Sequence, residues 1–324
     1  MGRRILVTGG SGFIGTNLVE RYLADGDAVL NLDPRPARKP EHRPAWRAVD
    51  PLDANGLKRH FADFQPTQVL HFGARTDLDG EDLLDYDYNI RGVTAIISAI
   101  RSTPSVERVI FASSRMVCRI DHRPAGPGDY SPPNPYGESK VVGELLVQQA
   151  GLEPTWTIVR PTSIWGPWFD VPYKTFFLSV ARGRYVNVRG HVVDKSFGFV
   201  GNFVHEVDRL LTAPPERVAG RTFYLADYPP INVGEMAAEI QRSLNAPPLR
   251  TVPRGALEPA AKAGDVLKKL GWRNPPLTTF RLDNLVTEMV FDLAPIQEIA
   301  GELPYDMNEG IDLTVQWMRA QGEV

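Results

Sequence analysis

Cysteine is almost absent. The only one in 324 residues is Cys118, which excludes an internal disulfide framework and fits a reducing compartment. Runs of lysine or arginine are missing too. With a formal net charge of -3 and a pI near 6.1, the chain has no broad basic surface for a polyanion, so no nucleic-acid partner is expected. No stretch reaches the roughly 18 apolar residues of a membrane span. Arg3 and Arg4 before an apolar stretch faintly imitate a secretory signal, but Thr8 and two glycines break the run and no cleavage-like segment follows. A cytoplasmic protein with no membrane partner is expected. The six histidines are scattered, with neither a His-Glu-x-x-His pair nor a cysteine cluster, so no metal site is expected. There is no low-complexity tract and no internal repeat beyond an alternation of strands and helices.

What is present suffices for a large core: 43% of the residues are hydrophobic and 23% charged, in one domain or two. The chain is organised around residues 3–33, RRILVTGGSGFIGTNLVERYLADGDAVLNLD. An apolar strand (Ile5–Thr8) runs into a glycine turn. An amphipathic helix follows, with Ile14, Leu18, Val19 and Leu23 on one side, and then a second strand ending on Asp33. In such a β-α-β unit Gly9 makes the tight turn, Gly12 lets backbone approach a pyrophosphate, and Gly15 lets helix pack on strand. The helix N-terminus then faces phosphates. Asp33 can accept bonds from the adenosine ribose hydroxyls and would repel a 2′-phosphate, which favours NAD over NADP. Arg35 and Arg38 weaken that preference, so NADP stays open.

The segment after Asp33, PRPARKPEHRP, reads as a surface loop on the adenosine side. Trp46–Asp50 predicts a third strand, with Asp50 at its end positioned to bond the adenine amine; 53–64 predicts a helix and 68–74 a fourth strand buried on both faces. Residues 83–100 read as a long crossover helix carrying Asn89, and 108–114 (RVIFASS) as a fifth strand. This alternation predicts a Rossmann-type doubly wound parallel sheet, whose ligands sit at the carboxyl ends of the strands.

Ser113 and Ser114 close the fifth strand. Beyond a proline-rich loop, Tyr136 and Lys140 stand four residues apart, on one face of a predicted helix. A phenol titrates near 10, so a general base at pH 7 must be stabilised as phenolate by about 4 kcal/mol. An ammonium at Lys140 and the positive ring of an oxidised nicotinamide can supply that stabilisation. Ser114 would orient the substrate hydroxyl or carbonyl.

The glycine turn TGGSGFIG (8–15), the strand ASSRMV (112–117) and PYGESK (135–140) resemble the extended short-chain dehydrogenase/reductase superfamily, in its nucleotide-sugar epimerase/dehydratase branch. Asn89-x-x-Gly92 and VRPTSIWGP (159–167) fit the same pattern. The resemblance implies cofactor contacts from Gly9, Gly12, Phe13, Ile14, Gly15, Asp33, Asp50, Phe72, Gly73, Ala74, Asn89, Tyr136, Lys140 and Pro161, and catalysis by Ser114, Tyr136 and Lys140. It implies substrate contacts from Arg75, Ser163, Lys195 and Arg281, and a homodimer. The implied activity is that of an NAD-dependent oxidoreductase on a nucleotide-diphosphate sugar, either a 4-epimerase working through a transient 4-keto intermediate or a 4-ketoreductase.

Departures from the branch bound this expectation. Arg115 and Met116 replace the Asp-Glu pair of the sugar 4,6-dehydratases, which disfavours dehydration. Cys118 stands where tyrosine is common, Ser163 where an asparagine usually contacts the sugar diphosphate, and Lys195 where arginine is usual. The Arg-x-Gly-Asp signature of many nucleotide-sugar binders is missing, with only Arg281 nearby. A dehydrogenase or reductase of a non-nucleotide alcohol or ketone, such as a sterol-like substrate, is therefore the alternative. A non-catalytic cofactor-binding protein would be expected to have lost Tyr136 or Lys140.

Residues 1–164 are expected to form the NAD-binding domain, completed by 195–227, where SFGFVGNFVHEVDRLLTA returns to the sheet as strand and helix and RTFYLAD adds a strand. Residues 165–194 and 228–324 would form a smaller, mostly helical substrate lobe. Trp165 and Trp168 read as fold anchors and His71 as packed beneath the cofactor.

Overall fold

The computed structural model describes residues 2–324 except 121, 123, 171–172, 273–274 and 276. In chain order its elements are β1 (Arg4–Thr8), α1 (Phe13–Ala24), β2 (Ala28–Leu32), β3 (Trp46–Arg47), α2 (Ala54–Phe64), β4 (Gln68–His71), α3 (Asp87–Arg101), β5 (Arg108–Ala112), α4 (Pro135–Gln149), β6 (Thr155–Pro161), β7 (Ser163–Trp165) and α5 (Tyr173–Ala181). They continue as β8 (Val186–Val188), β9 (Asp194–Lys195), β10 (Phe197–Phe199), α6 (Val200–Thr212), α7 (Pro215–Val218), β11 (Arg221–Leu225), β12 (Ile231–Asn232), α8 (Val233–Leu244), β13 (Arg250–Val252), α9 (Arg254–Lys269), α10 (Thr279–Val286), α11 (Ala294–Ala300) and α12 (Met307–Ala320).

Seven strands form one sheet in the order β11-β6-β5-β4-β1-β2-β3, parallel throughout. The strand order reverses between β1 and β4, and a crevice opens at their carboxyl ends, where such sheets hold ligands. The strands are apolar on both faces because both faces are covered. Ile5 and Val7 of β1 join a core shared with α1, α6 and the C-terminal helices, whereas Leu6 between them joins a second core beneath α2 and α3.

Local sequence fixes the helix starts. Asp53 caps α2, its carboxylate accepting the Gly56 amide at 2.8 Å. Asn134 caps α4 through the Gly137 amide at 2.9 Å, with Pro135 in the first turn, where a missing N–H costs nothing. Asp306 and Glu309 form a reciprocal capping box on α12.

Several expectations change in detail: the fourth strand ends at His71 and the fifth at Ala112, short of 74 and 114. The third strand stops at Arg47, short of Asp50, because the chain turns away after two ladder residues. The crossover helix begins at Asp87, preceded by a single 3-10 turn over Leu84–Tyr86. The strand within SFGF does not rejoin the large sheet: β10 pairs with β7, Phe197 opposite Ser163, in a separate two-stranded ladder, and only β11 extends the main sheet beside β6. Trp165 is buried between the rings of Phe177 and Phe199, and Trp168 packs on Trp317. Among the described residues, no helix is long and apolar enough to cross a membrane.

Candidate active site

The crevice at the strand-order reversal is a cleft of about 600 Å³. Gly9, at φ +71°, has its Cβ position 2.6 Å from the Gly73 amide nitrogen, and that of Gly15 lies 2.1 Å from the Gly9 carbonyl oxygen. No side chain fits at either point, so β1, β4 and α1 converge more closely than any other residue would allow. The N-cap of α1 is Gly12, with no side-chain bond to the helix's first amides, which leaves those donors and the positive helix end for an anion.

Asp33 is 2% exposed and is held rigidly, accepting from the Ser11 amide at 3.1 Å and the Arg35 amide at 2.9 Å. Both Asp33 and Arg35 line the cleft. Arg38 is committed elsewhere: it donates to the Ser11 and Trp168 carbonyls and pairs with Asp170 at 2.7 Å, bridging the mouth of the adenosine end. Of the two arginines weighed against Asp33, Arg35 is the exposed one; its Nε lies 3.6 Å from the Asp33 carboxylate, so its guanidinium stands where a 2′-phosphate would come. The glycine cradle, the unsatisfied helix amides and the rigid carboxylate at the far end together fit NAD. Asp33→Ala should then lower the ratio of the NADP to the NAD dissociation constant by about tenfold or more, since one repulsive charge is lost while Arg35 stays. Titration with both cofactors measures it, and an unchanged ratio would show that Asp33 does not discriminate.

At the opposite end, Ser113, Ser114, Tyr136, Lys140, Pro161 and Thr162 form the wall. A Cβ on Gly137 would lie 2.1 Å from the Met116 carbonyl oxygen. The first turn of α4 is therefore pressed against the 115–117 turn, and this contact brings Tyr136 to Ser114. Burial pushes the Tyr136 phenol up to about 12, against a hydrogen bond from Ser114 and the charge of Arg115, both of which favour the phenolate. The Lys140 ammonium donates to the Ala112 carbonyl at 3.0 Å and lies 5.9 Å from the Tyr136 ring centroid. Burial lowers it to about 8, opposed by the charge of Glu144. His71 lies under this wall, 2.7 Å from the Thr8 hydroxyl, and burial lowers it to about 3.

The other expected contacts divide. Phe13, Ile14, Phe72, Gly73, Ala74 and Arg75 line the cleft, with Arg75 gripped by Asp77 at 2.8 and 2.9 Å. Asn89, Asp50, Ser163, Lys195 and Arg281 are not in its wall. Asn89 is buried one layer behind, its amide oxygen accepting the Arg75 N–H at 2.7 Å and its nitrogen donating to the Arg75 carbonyl at 3.0 Å, so it positions the strand end. Asp50 is exposed and accepts the Leu52 amide. Ser163 pairs with Phe197 in the β7–β10 ladder, and the alternation of an extended chain turns Thr162 and Ile164 to the cleft instead. Lys195 donates to the Asn284 carbonyl at 2.5 Å and is lowered to about 8 by burial and then by the Arg115 charge. Arg281 is exposed on α10 and bonds the Pro275 carbonyl. Sequence reasoning missed Thr162, Tyr88 and Tyr173 in the wall; alternation from Pro161 points to Ser163 instead, so no local signal marked them.

The family model for the NAD dependent epimerase/dehydratase family matches residues 5–225. An N-acetyl-alpha-D-glucosaminyl-diphospho-ditrans,octacis-undecaprenol 4-epimerase of Escherichia coli O157:H7 is 28% identical over 98% of this chain and 96% of its own. A 3 beta-hydroxysteroid dehydrogenase/Delta 5-->4-isomerase of Mycobacterium tuberculosis is 30% identical over 72% of this chain and 67% of its own. A Thermus thermophilus UDP-glucose 4-epimerase solved with NAD shares the fold, with a TM-score of 0.72, 22% identity and coverage of 98% and 99% of the two chains. The chain belongs to the NAD dependent epimerase/dehydratase family and to the extended short-chain dehydrogenase/reductase superfamily. It is an enzyme of that type, with NAD as its cofactor.

Proposed function

We propose that the protein is a 4-epimerase of a sugar carried on a diphosphate, oxidising C4 and reducing it again from the other face. The observation that carries this reading is the meeting of Ser114, Tyr136 and Lys140 in the cleft wall, opposite the Asp33 end. In it, NAD when bound supplies the hydride acceptor. Tyr136 takes the proton from the sugar hydroxyl through its phenol oxygen and gives it back, Ser114 holds that hydroxyl in line, and Lys140 anchors the nicotinamide ribose and stabilises the phenolate. A 4-ketoreductase would use the same three residues for half of the cycle.

The residues expected to grip a nucleoside diphosphate give this reading no support for the nucleoside itself. Ser163 faces its ladder partner, and Arg281 bonds the Pro275 carbonyl away from the cleft. A relative spanning nearly the whole chain acts on a sugar attached to diphospho-undecaprenol. A diphosphate ending in a group other than a nucleoside fits this cleft as well, and the alternative of a lipophilic free alcohol draws on the steroid dehydrogenase relative. The test is incubation with NAD and either UDP-N-acetylglucosamine or a polyprenyl-diphospho-N-acetylglucosamine in detergent, followed by separation of the epimers. Formation of the 4-epimer from either supports the reading. No epimer from both, together with NADH formation from a sterol, would replace it with the alcohol dehydrogenase.

A further inference from the structure

The last turns of α9 carry apolar side chains on the outside of the molecule. Ala261 and Gly264 are the buried residues of this helix, and a Cβ on Gly264 would lie 1.8 Å from the Leu277 carbonyl oxygen. That face is pressed onto the segment leading into α10. At about 100° per residue, Ala263, Val266, Leu267 and Leu270 fall on the opposite side. Their exposure agrees, at 56% for Val266, 38% for Leu267 and 78% for Leu270, with Trp272 just beyond at 52%. Lys262 and Lys269 run along one edge of this ridge, both exposed. The acids of the helix lie toward its packed side, Glu258 beside Arg254 at 3.4 Å and Asp265 accepting from Thr279.

We propose that this ridge is a docking surface for an anionic membrane. Aliphatic side chains and a tryptophan flanked by lysines suit the boundary between headgroups and acyl chains, where the ammonium groups reach lipid phosphates and the apolar parts leave water. A second copy of the chain would set these lysines against their own equivalents, which is repulsive. The packed face of α9, behind the ridge, is connected to the substrate side of the cleft. Ala261 of α9 packs with Leu282 of α10, the Asn284 carbonyl of α10 holds Lys195, and Lys195 lies within the field of Arg115, next to Ser114. The purpose of such docking rests on the diphosphate-linked sugar reading: a sugar whose diphosphate is anchored in lipid would be met at the bilayer surface. The sequence expectation of no membrane partner rested on the missing spanning run and the missing signal-like segment, neither of which reports on a single helix face.

Flotation of the full chain with phosphatidylglycerol/phosphatidylcholine vesicles, and with phosphatidylcholine vesicles alone, tests this. The wild type should float with the anionic vesicles, less so at high salt. Leu270→Asp/Trp272→Asp and Lys262→Glu/Lys269→Glu should each reduce the floated fraction about tenfold or more. NADH affinity and thermal midpoint should stay unchanged, since all four side chains are exposed. Wild type that stays at the bottom of the gradient, or variants that float equally well, would overturn the proposal. So would a drop in solution mass of Leu270→Asp/Trp272→Asp, which would assign the ridge to a second copy. Flotation without turnover of either diphosphate-linked sugar sinks the substrate reading and leaves the surface standing; turnover in detergent without flotation does the reverse.

Discussion

Tyr136→Phe should lower turnover by at least about 10²-fold while leaving NAD affinity within a factor of about two. The phenol is 8% exposed and its ring packs edge-on against Tyr86 at 5.8 Å, a contact that phenylalanine keeps. Only the hydroxyl facing Ser114 is lost, so packing and cofactor binding should be unaffected and the proton transfer removed. The residual pH dependence carries further information. Burial holds the phenol at about 12 even with the Ser114 hydrogen bond and the Arg115 charge opposing it, so any activity of the wild type near neutrality requires further positive charge to bring the phenolate within reach. Within the chain the group placed to supply it is Lys140, 5.9 Å from the ring centroid and at about 8 itself. As pH rises through that value Lys140 loses its charge, and the rate should fall on the alkaline side. Steady-state kinetics with NAD titration measures both effects, and unaltered turnover would remove Tyr136 from the chemistry.

The sheet, the glycine turn and the order of the Ser, Tyr and Lys residues were legible because each depends on residues close in sequence. The close approach at Gly9 and Gly15 and the buried apolar strands follow from local steric and hydrophobic patterns. Less legible was anything set by tertiary pairing. Nothing in SFGF tells that its strand pairs with β7 rather than entering the main sheet, and that pairing alone decides that Ser163 turns from the cleft and Thr162 faces it. Lys195 and Arg281 were placed by resemblance, which carries a position along the chain but not the direction of a side chain whose neighbours have changed. The same holds for α9: periodicity shows an apolar face, and only packing shows that Ala261 and Gly264 form the buried one.

The charge pair behind the catalytic wall was invisible in the sequence for the same reason, and its disruption should produce the largest loss of stability. Arg160 on β6 and Glu144 on α4 are both about 1% exposed in their side chains and meet at 2.7 Å. The guanidinium lies between the rings of Tyr130 and Tyr224, 5.4 and 5.2 Å from their centroids, and donates to both Glu144 oxygens. The carboxylate also accepts from the Ser113 and Tyr130 hydroxyls. Glu144→Ala would strand a buried guanidinium and two hydroxyl donors, which should cost about 3–5 kcal/mol. Glu144→Gln keeps most of the hydrogen bonds and loses only the charge, so its cost should be smaller. Urea denaturation gives both values. The pair also bears on the chemistry, because the Glu144 charge raises the pKa of Lys140 one turn away. In Glu144→Gln the Lys140 ammonium should lose its proton at lower pH than in the wild type, and the alkaline limb of the rate profile should move down with it. A Glu144→Ala protein within about 1 kcal/mol of wild type would mean that the guanidinium finds other partners, and the ion pair would then carry no weight in the fold.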